Sequence, residues 1–118
     1  MLKVLVIILN WNGYKDTVEC LESLFKNTCQ NFKVIVLDNG SKGNDMQLLK
    51  EKFNNKIVLR KNKQNLGFAA ANNQCIKYAI KRNFTYVILL NNDTNVDKHF
   101  ISSLLSCAKK YPGAAAIG

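Results

Sequence analysis

Apolar and polar residues fall into blocks along the chain, and the period of the pattern changes from block to block. Val4–Leu9 (VLVIIL) is an unbroken aliphatic run, the pattern of a strand covered on both faces. Asn10-Trp11-Asn12-Gly13 ends it. From Tyr14 to Lys26 the apolar positions Val18, Leu21, Leu24 and Phe25 recur at helical spacing, with Glu19 and Glu22 turned outward. Phe32–Leu37 (FKVIVL) predicts a second buried strand, stopped by the dense turn signal Asp38-Asn39-Gly40-Ser41. Met46, Leu49 and Phe53 mark a second helix, and Ile57–Leu59 a short third strand. The loop Lys61–Leu66 and Gly67 lead into a helix from Ala69 to Lys81. Tyr86–Leu90 (YVILL) predicts a fourth strand that ends in Asn91-Asn92-Asp93. Phe100, Ile101, Leu104, Leu105 and Ala108 form a further helical stripe, and Ala114–Ile117 reads as the start of a fifth strand.

Strands that alternate with helices in this way predict an α/β fold: a mainly parallel sheet between two helical layers. Parallel strands joined by crossovers all end on the same edge of the sheet, and ligands bind outside those carboxyl ends. Three polar clusters fall on that edge: Asn10–Asn12, Asp38–Ser41 and Asn91–Thr94. They are read as one shared site.

Length and composition narrow the class. The chain has 118 residues, 47% apolar and 21% charged, enough for one domain with its own core. One Pro, six Gly and no sustained heptads exclude collagen-like, coiled-coil and disordered chains. No apolar run approaches the roughly 18–20 residues that cross a bilayer, and Met1–Leu9 is too short for a signal peptide. Lys and Arg number 17 against 8 Asp and Glu, a balance of +9. That excess suits an anionic partner, or equally a solubilising surface with Lys42, Lys50, Lys52 and Lys56 on solvated faces and loops. Cys20, Cys29, Cys75 and Cys107 are widely spaced and accompanied by one His, which argues against zinc and for reduced thiols in a cytoplasmic chain.

Asp93 follows an apolar strand directly, so the sheet holds it while its head reaches solvent. A carboxylate so placed suits a hard divalent cation that shares oxygen ligands with a phosphate. The plainer alternative is a helix cap, for which Thr94 and Asp97 are also available. Asp38 stands in the same relation to Leu37; it suits a base N–H or a ribose hydroxyl, or simply an Asx turn around Asn39-Gly40. Gly67, with Ala69-Ala70-Ala71 shortly after it, starts a helix with little side chain in the way, either for an anion near Lys61 and Lys63 or for tight packing. Neither a Walker loop nor the G-x-G-x-x-G dinucleotide fingerprint is present, and no G-x-S-x-G supports a serine hydrolase. His99 reads as a surface or satisfied histidine, and Trp11 as a packed residue or a platform for a base. The basic excess lacks the aromatic interleaving of a single-strand binder, so no nucleic-acid partner is expected.

In order and spacing, Val6–Gly13, Val36–Ser41, Asn65–Ala69, Asn72-Asn73 and Leu89–Thr94 together resemble the nucleotide-sugar half of family 2 glycosyltransferases with the GT-A fold. The likeness is to the rhamnosyltransferase-like members and covers nearly the whole chain. It implies a donor-binding set of Asn10, Asn12, Asp38, Asn65, Gly67, Asn72, Asn91 and Asn92, with Asp93 as the metal ligand. Asn10 and its neighbours would border the nucleobase, Asp38 would hydrogen-bond base or ribose, and the Asn65–Phe68 turn would pack against the donor. Asp93 matches the last Asp of the D-x-D metal motif, whereas Asn91 replaces its first. One carboxylate binds a divalent ion weakly, so Mn²⁺ or Mg²⁺ is expected to arrive with the nucleotide.

The implied reaction is inverting transfer of a sugar from a UDP- or dTDP-sugar to a hydroxyl of a saccharide or lipid-linked acceptor, in cell-surface polysaccharide synthesis. The family's base lies downstream of the metal motif. No residue here matches it, so the base is expected downstream of Gly118. Residues 1–118 are therefore expected to be the donor part of a truncated domain, binding donor without transferring sugar. The reduced thiols place the chain in the cytoplasm, and the basic excess allows peripheral contact at the inner membrane face at most. Two other classes compete. A nucleotidyltransferase would carry a Gly-rich basic loop after its first strand, where Asn10-Trp11-Asn12-Gly13 stands. A non-enzymatic basic module rests on the charge of +9 alone.

Overall fold

The computed structural model describes residues 3–110. Four strands, β1 (Val4–Asn10), β2 (Lys33–Asn39), β3 (Val58–Asn62) and β4 (Tyr86–Leu90), form one sheet in the order β3-β2-β1-β4. Every pairing is parallel. The connections run through α1 (Tyr14–Phe25), α2 (Asp45–Phe53) with a 3-10 turn at Asn54–Lys56, and α3 (Phe68–Lys81); α4 (Phe100–Lys110) follows β4. The three-layer α/β architecture expected from the pattern is present. The fifth strand expected at Ala114–Ile117 lies outside the described residues. So does Gly118.

The central strands are apolar on both faces because both faces are covered. On one side Val6, Ile8, Val34 and Val36 pack with Leu21 and Leu24 of α1, Leu49 and Phe53 of α2, and Ile101 of α4. On the other, Leu5, Ile7, Ile35 and Leu37 meet Ala71, Cys75 and Ala79 of α3. Small residues on the inner face of α3 let that helix lie close to the sheet. The start of α4 is tied by two side chains: Asp97 Oδ2 accepts from His99 N at 2.9 Å, and Asn27 Oδ1 accepts from Ile101 N at 2.9 Å. Of the two caps foreseen for this helix, Asp97 takes the role, and His99 stays on the surface beside Thr28 Oγ1 at 3.3 Å.

Two local expectations change. The third strand runs three residues further than Ile57–Leu59, because ladder pairing to β2 carries Arg60, Lys61 and Asn62 opposite Leu37, Asp38 and Asn39. As an edge strand β3 tolerates those polar residues, so its hydropathy ends before its hydrogen bonding does. Trp11 does not pack into the core; it is 55% exposed at the tip of the β1–α1 loop.

Gly40 closes β2 with φ +86°, and a Cβ there would lie 2.5–2.7 Å from the backbone of Gln64 and Asn65. The loop after β3 thus rests directly on this glycine. Gly40→Ala is expected to cost about 2 kcal/mol or more in urea unfolding, from strain and loop displacement together; wild-type stability would mean the loop does not rest there.

Candidate active site

All four strands end on one edge, with β1 between β2 and β4, so the ends of β2 and β4 are roughly 10 Å apart. The register sets Asn10 beside Asp38, and Asn39 beside Asn62. Because side chains alternate across a strand, Asp38 turns toward α1 and α2, and Asn39 toward α3. Two separate polar hubs result.

The first hub is built on Asn10, which is fully buried. Its Nδ2 donates to Asp38 Oδ1 at 2.8 Å, to Asp45 Oδ2 at 2.9 Å and, more weakly, to Ser41 Oγ at 3.4 Å. Its Oδ1 accepts from Thr17 Oγ1 at 2.6 Å, and Thr17 Oγ1 accepts from Asn92 Nδ2 at 3.1 Å. Gly13 leaves the space for this: a Cβ there would stand 2.8 Å from Asn92 Nδ2. Asp38 is only 1% exposed. Its Oδ1 accepts from Ser41 Oγ at 2.6 Å and its Oδ2 from Ser41 N at 3.0 Å, so the carboxylate closes the turn around Asn39-Gly40 one residue later than the Asx turn foreseen as the plainer alternative. Asn12 bridges the neighbouring loops, its N donating to Ser41 Oγ at 2.7 Å and its Oδ1 accepting from Lys42 N at 2.9 Å.

The second hub is Asn39, also buried. Its Oδ1 accepts from Asn62 Nδ2 and Leu66 N, each at 3.1 Å, and its Nδ2 donates to Asn65 Oδ1 at 3.0 Å. Asn65 Oδ1 also accepts from Gly67 N at 2.7 Å, and Gly67 has φ +87°, which favours glycine at this position. Asn65 and Gly67 are therefore fixed as a turn that delivers α3.

A cleft of about 230 Å³ opens where β1, β4 and the start of α3 meet, lined by Leu9, Phe68, Asn72 and the segment Leu89–Asp93. Of the residues singled out in the sequence, Asn72, Asn91, Asn92 and Asp93 come together here. Asn10 and Asp38 lie beneath the neighbouring loops instead, and Asn12, Asn65 and Gly67 belong to the loops on the same edge. Sequence reasoning did not single out Thr17 or Asp45, and it gave Asn39 only a place in the turn after β2. Thr17 sits in the first turns of a helix at a position that pattern alone assigns to the core face, and nothing local reveals its polar partners.

Asp93 is exposed and is the carboxylate lining the cleft, with the Asn91 and Asn92 amides adjacent. Among the described residues no group of three or more His, Cys, Asp or Glu converges. The donor set fits a hard divalent ion in one way only: shared with a ligand that brings further anionic oxygens. Behind the loop, Cys20 Sγ lies 3.6 Å from Asn91 O. Burial pushes its thiol up to about 11; the backbone at Thr94 opposes the shift and the Asp93 charge adds to it. Burial likewise raises Cys75 to about 11, against the pull of Arg60.

Asn10→Ala is expected to cost about 1–3 kcal/mol, since Thr17 and Asp38 lose a buried partner. Asn10→Asp should cost more, because it sets a carboxyl against Asp38 and Asp45. Its deficit should shrink as pH falls, since the crowded native state holds a proton that the unfolded chain releases; urea titrations across pH read both. At pH 8, alkylation of Cys20 and Cys75 should be far slower than of the half-buried Cys29 and Cys107. Above pH 9 the native state retains thiol protons that the unfolded chain gives up, so both groups lower stability as pH rises toward about 11.

Comparison with known proteins is consistent with this geometry. An uncharacterized glycosyltransferase of Rickettsia bellii is 35% identical over 91 residues, covering 77% of this chain and 13% of the relative. Glycosyltransferase GlyG of Streptococcus pneumoniae is 26% identical over 115 residues, 96% of this chain and 37% of the relative. The chain thus spans well under half the length of these relatives. The crystal structure of S. aureus TarS 1-349 in complex with UDP-GlcNAc superposes with a TM-score of 0.79 at 25% identity, over 94% of this chain and 32% of that one. The mannosyltransferase PcManGT from Pyrobaculum calidifontis, in complex with GDP-Man and Mn²⁺, shares the fold with a TM-score of 0.69 at 18% identity, over 98% of this chain and 33% of that one. The sequence pattern of glycosyl transferase family 2 matches residues 5–118, and the chain belongs to that family.

Proposed function

We propose that these residues form the donor-binding part of a glycosyltransferase that moves a sugar from a nucleoside diphosphate sugar to a hydroxyl acceptor. The observation that carries this reading is the cleft at the strand ends, where Asp93 stands among Asn72, Asn91 and Asn92. Its volume of about 230 Å³ is smaller than the roughly 300–1,000 Å³ of a typical ligand pocket. It suits a diphosphate and part of a sugar, leaving base and ribose to lie along the exposed loops at Trp11, Asn12 and Lys42. The complexes of TarS with UDP-GlcNAc and of PcManGT with GDP-Man and Mn²⁺ support a nucleotide-sugar donor and a divalent ion. The finer likeness to rhamnosyltransferases rests on the motifs alone.

In this reading each residue has a physical task. Asp93 would hold a divalent ion shared with the diphosphate, and the Asn91 amide offers a neutral oxygen beside it. Bound there, such an ion would supply positive charge to offset that of the departing diphosphate. Asn72, at the start of α3, orients the donor by hydrogen bonding, and Phe68 closes the cleft over it. Trp11 presents a ring to the base. Asp38, enclosed by Asn10 and Ser41, serves the nucleotide by fixing the loop that carries Asn12 and Lys42. Thr17 and Asn92 hold the Asp93 segment against α1, so that the carboxylate meets its ligands already positioned. Inversion at the anomeric carbon, a base supplied from downstream of Gly118, and a saccharide or lipid-linked acceptor complete the proposal.

Calorimetric titration with UDP or dTDP, with and without Mn²⁺, tests it. Mn²⁺ should raise affinity in the wild type and leave it unchanged in Asp93→Ala. Thr17→Val, which removes one hydroxyl at constant volume, should lower the Mn²⁺-dependent part about tenfold and Thr17→Ser should restore it. Equal Mn²⁺ enhancement in the wild type and Asp93→Ala would remove Asp93 from the site.

A further inference from the structure

Charge is distributed unevenly over this molecule. Between Glu51 and Asp93 the chain has eight lysines and arginines and no aspartate or glutamate. That stretch supplies β3, α3 and β4; β4, at the other edge of the sheet, carries no charge, and Arg60, Lys61, Lys77, Lys81 and Arg82 stand together on the β3–α3 flank. A cleft of about 430 Å³ between β3 and α3 is lined by Arg60, Lys61, Lys77, Lys81 and Arg82 around Tyr78, with no carboxylate in its wall. A second cleft, about 670 Å³ at the opposite edge of the sheet from the donor cleft, shares Tyr78 and Arg82 and adds Lys3, Lys33 and Lys56, again without a carboxylate.

Two features decide what this flank is built to meet. Its rings are already covered by cations: Arg82 lies 3.9 Å and Arg60 5.6 Å from the Tyr78 centroid, and Lys3 lies 4.9 Å from that of Phe84. Rings so capped are poor platforms for nucleic-acid bases, which need open π-faces. The second feature is Ile80, 70% exposed on the outer face of α3 beside Lys77 and Lys81. An exposed aliphatic side chain among lysines on a helix face is the arrangement that enters a headgroup region while its neighbours meet phosphate.

We propose that the β3–α3 flank is a docking surface for an anionic lipid leaflet. Phospholipid phosphates sit against Arg60, Lys77 and Lys81, and Ile80 reaches into the interface. Asn72 lines the donor cleft and Lys77 to Lys81 follow it on α3, so the two sites stand roughly 8–14 Å apart along the helix. This inference is independent of the donor reading.

Co-sedimentation of the chain with vesicles tests it, comparing phosphatidylcholine alone with an equimolar mixture of phosphatidylcholine and phosphatidylglycerol. The wild type should bind the mixed vesicles, lose affinity steeply with salt, and ignore phosphatidylcholine. Combined Arg60→Glu, Lys77→Glu and Lys81→Glu should weaken binding on the order of a hundredfold. Combined Lys15→Glu, Lys26→Glu and Lys98→Glu, with the same net charge, should weaken it far less. Ile80→Ser, at a solvent-facing helix position, should weaken binding about tenfold and carries the test if the flank variant does not fold. Equal losses in the two charge variants, equal binding to both vesicles, or tighter binding to single-stranded poly(U) than to mixed vesicles would each overturn the proposal.

Discussion

Parallel pairing of β1 with a neighbour on either side governs this molecule. It sends every strand end to one edge, and its register sets Asn10 level with Asp38. A buried amide beside a buried carboxylate must be satisfied by its surroundings. Here Thr17 from α1, Asp45 from α2 and Ser41 from the β2–α2 loop supply the partners. The hub thereby joins two strands and two helices at the place where the loops of the site begin.

The same pairing explains why two adjacent residues of β2 serve different ends. Asp38 organises the loops on the α1 and α2 side, whereas Asn39 organises the turn that launches α3. Neither residue lines the cleft at the strand ends. The residues that do, Asn72 and Asn91 to Asp93, are delivered by α3 and the end of β4, the one positioned through Asn39 and the other through Thr17 and Asn92. Rigid buried amides thus support an exposed carboxylate, the division expected of a site that must meet a ligand already organised.

Charge adds a second polarity. Carboxylates are confined to α1, α2 and the segments at the ends of β2 and β4, while β3 and α3 carry only cations. The sheet edge that holds the cleft and the flank that gathers Arg60, Lys61, Lys77, Lys81 and Arg82 are therefore different surfaces of one small fold. Among the described residues no helix is long and apolar enough to cross a membrane.

Much of this was legible before any coordinates. The unbroken aliphatic runs at Val4–Leu9 and Tyr86–Leu90 and the helical stripe through Val18, Leu21 and Leu24 settled the element order, because burial on two faces or one leaves a period in the chain. The polar clusters after those runs marked the strand ends, and of the three only Asn91–Asp93 lines the cleft there. Local sequence could not say where β3 stops, since its last residues are held by the ladder and not by burial. Nor could it separate Asp38, enclosed by its neighbours, from Asp93, open to solvent, although both follow apolar strands in the same manner. That difference arises from which loops fold over each strand end. Thr17, Asp45 and Asn39 join the site only through strand register and helix packing, which bring together atoms that lie far apart along the chain.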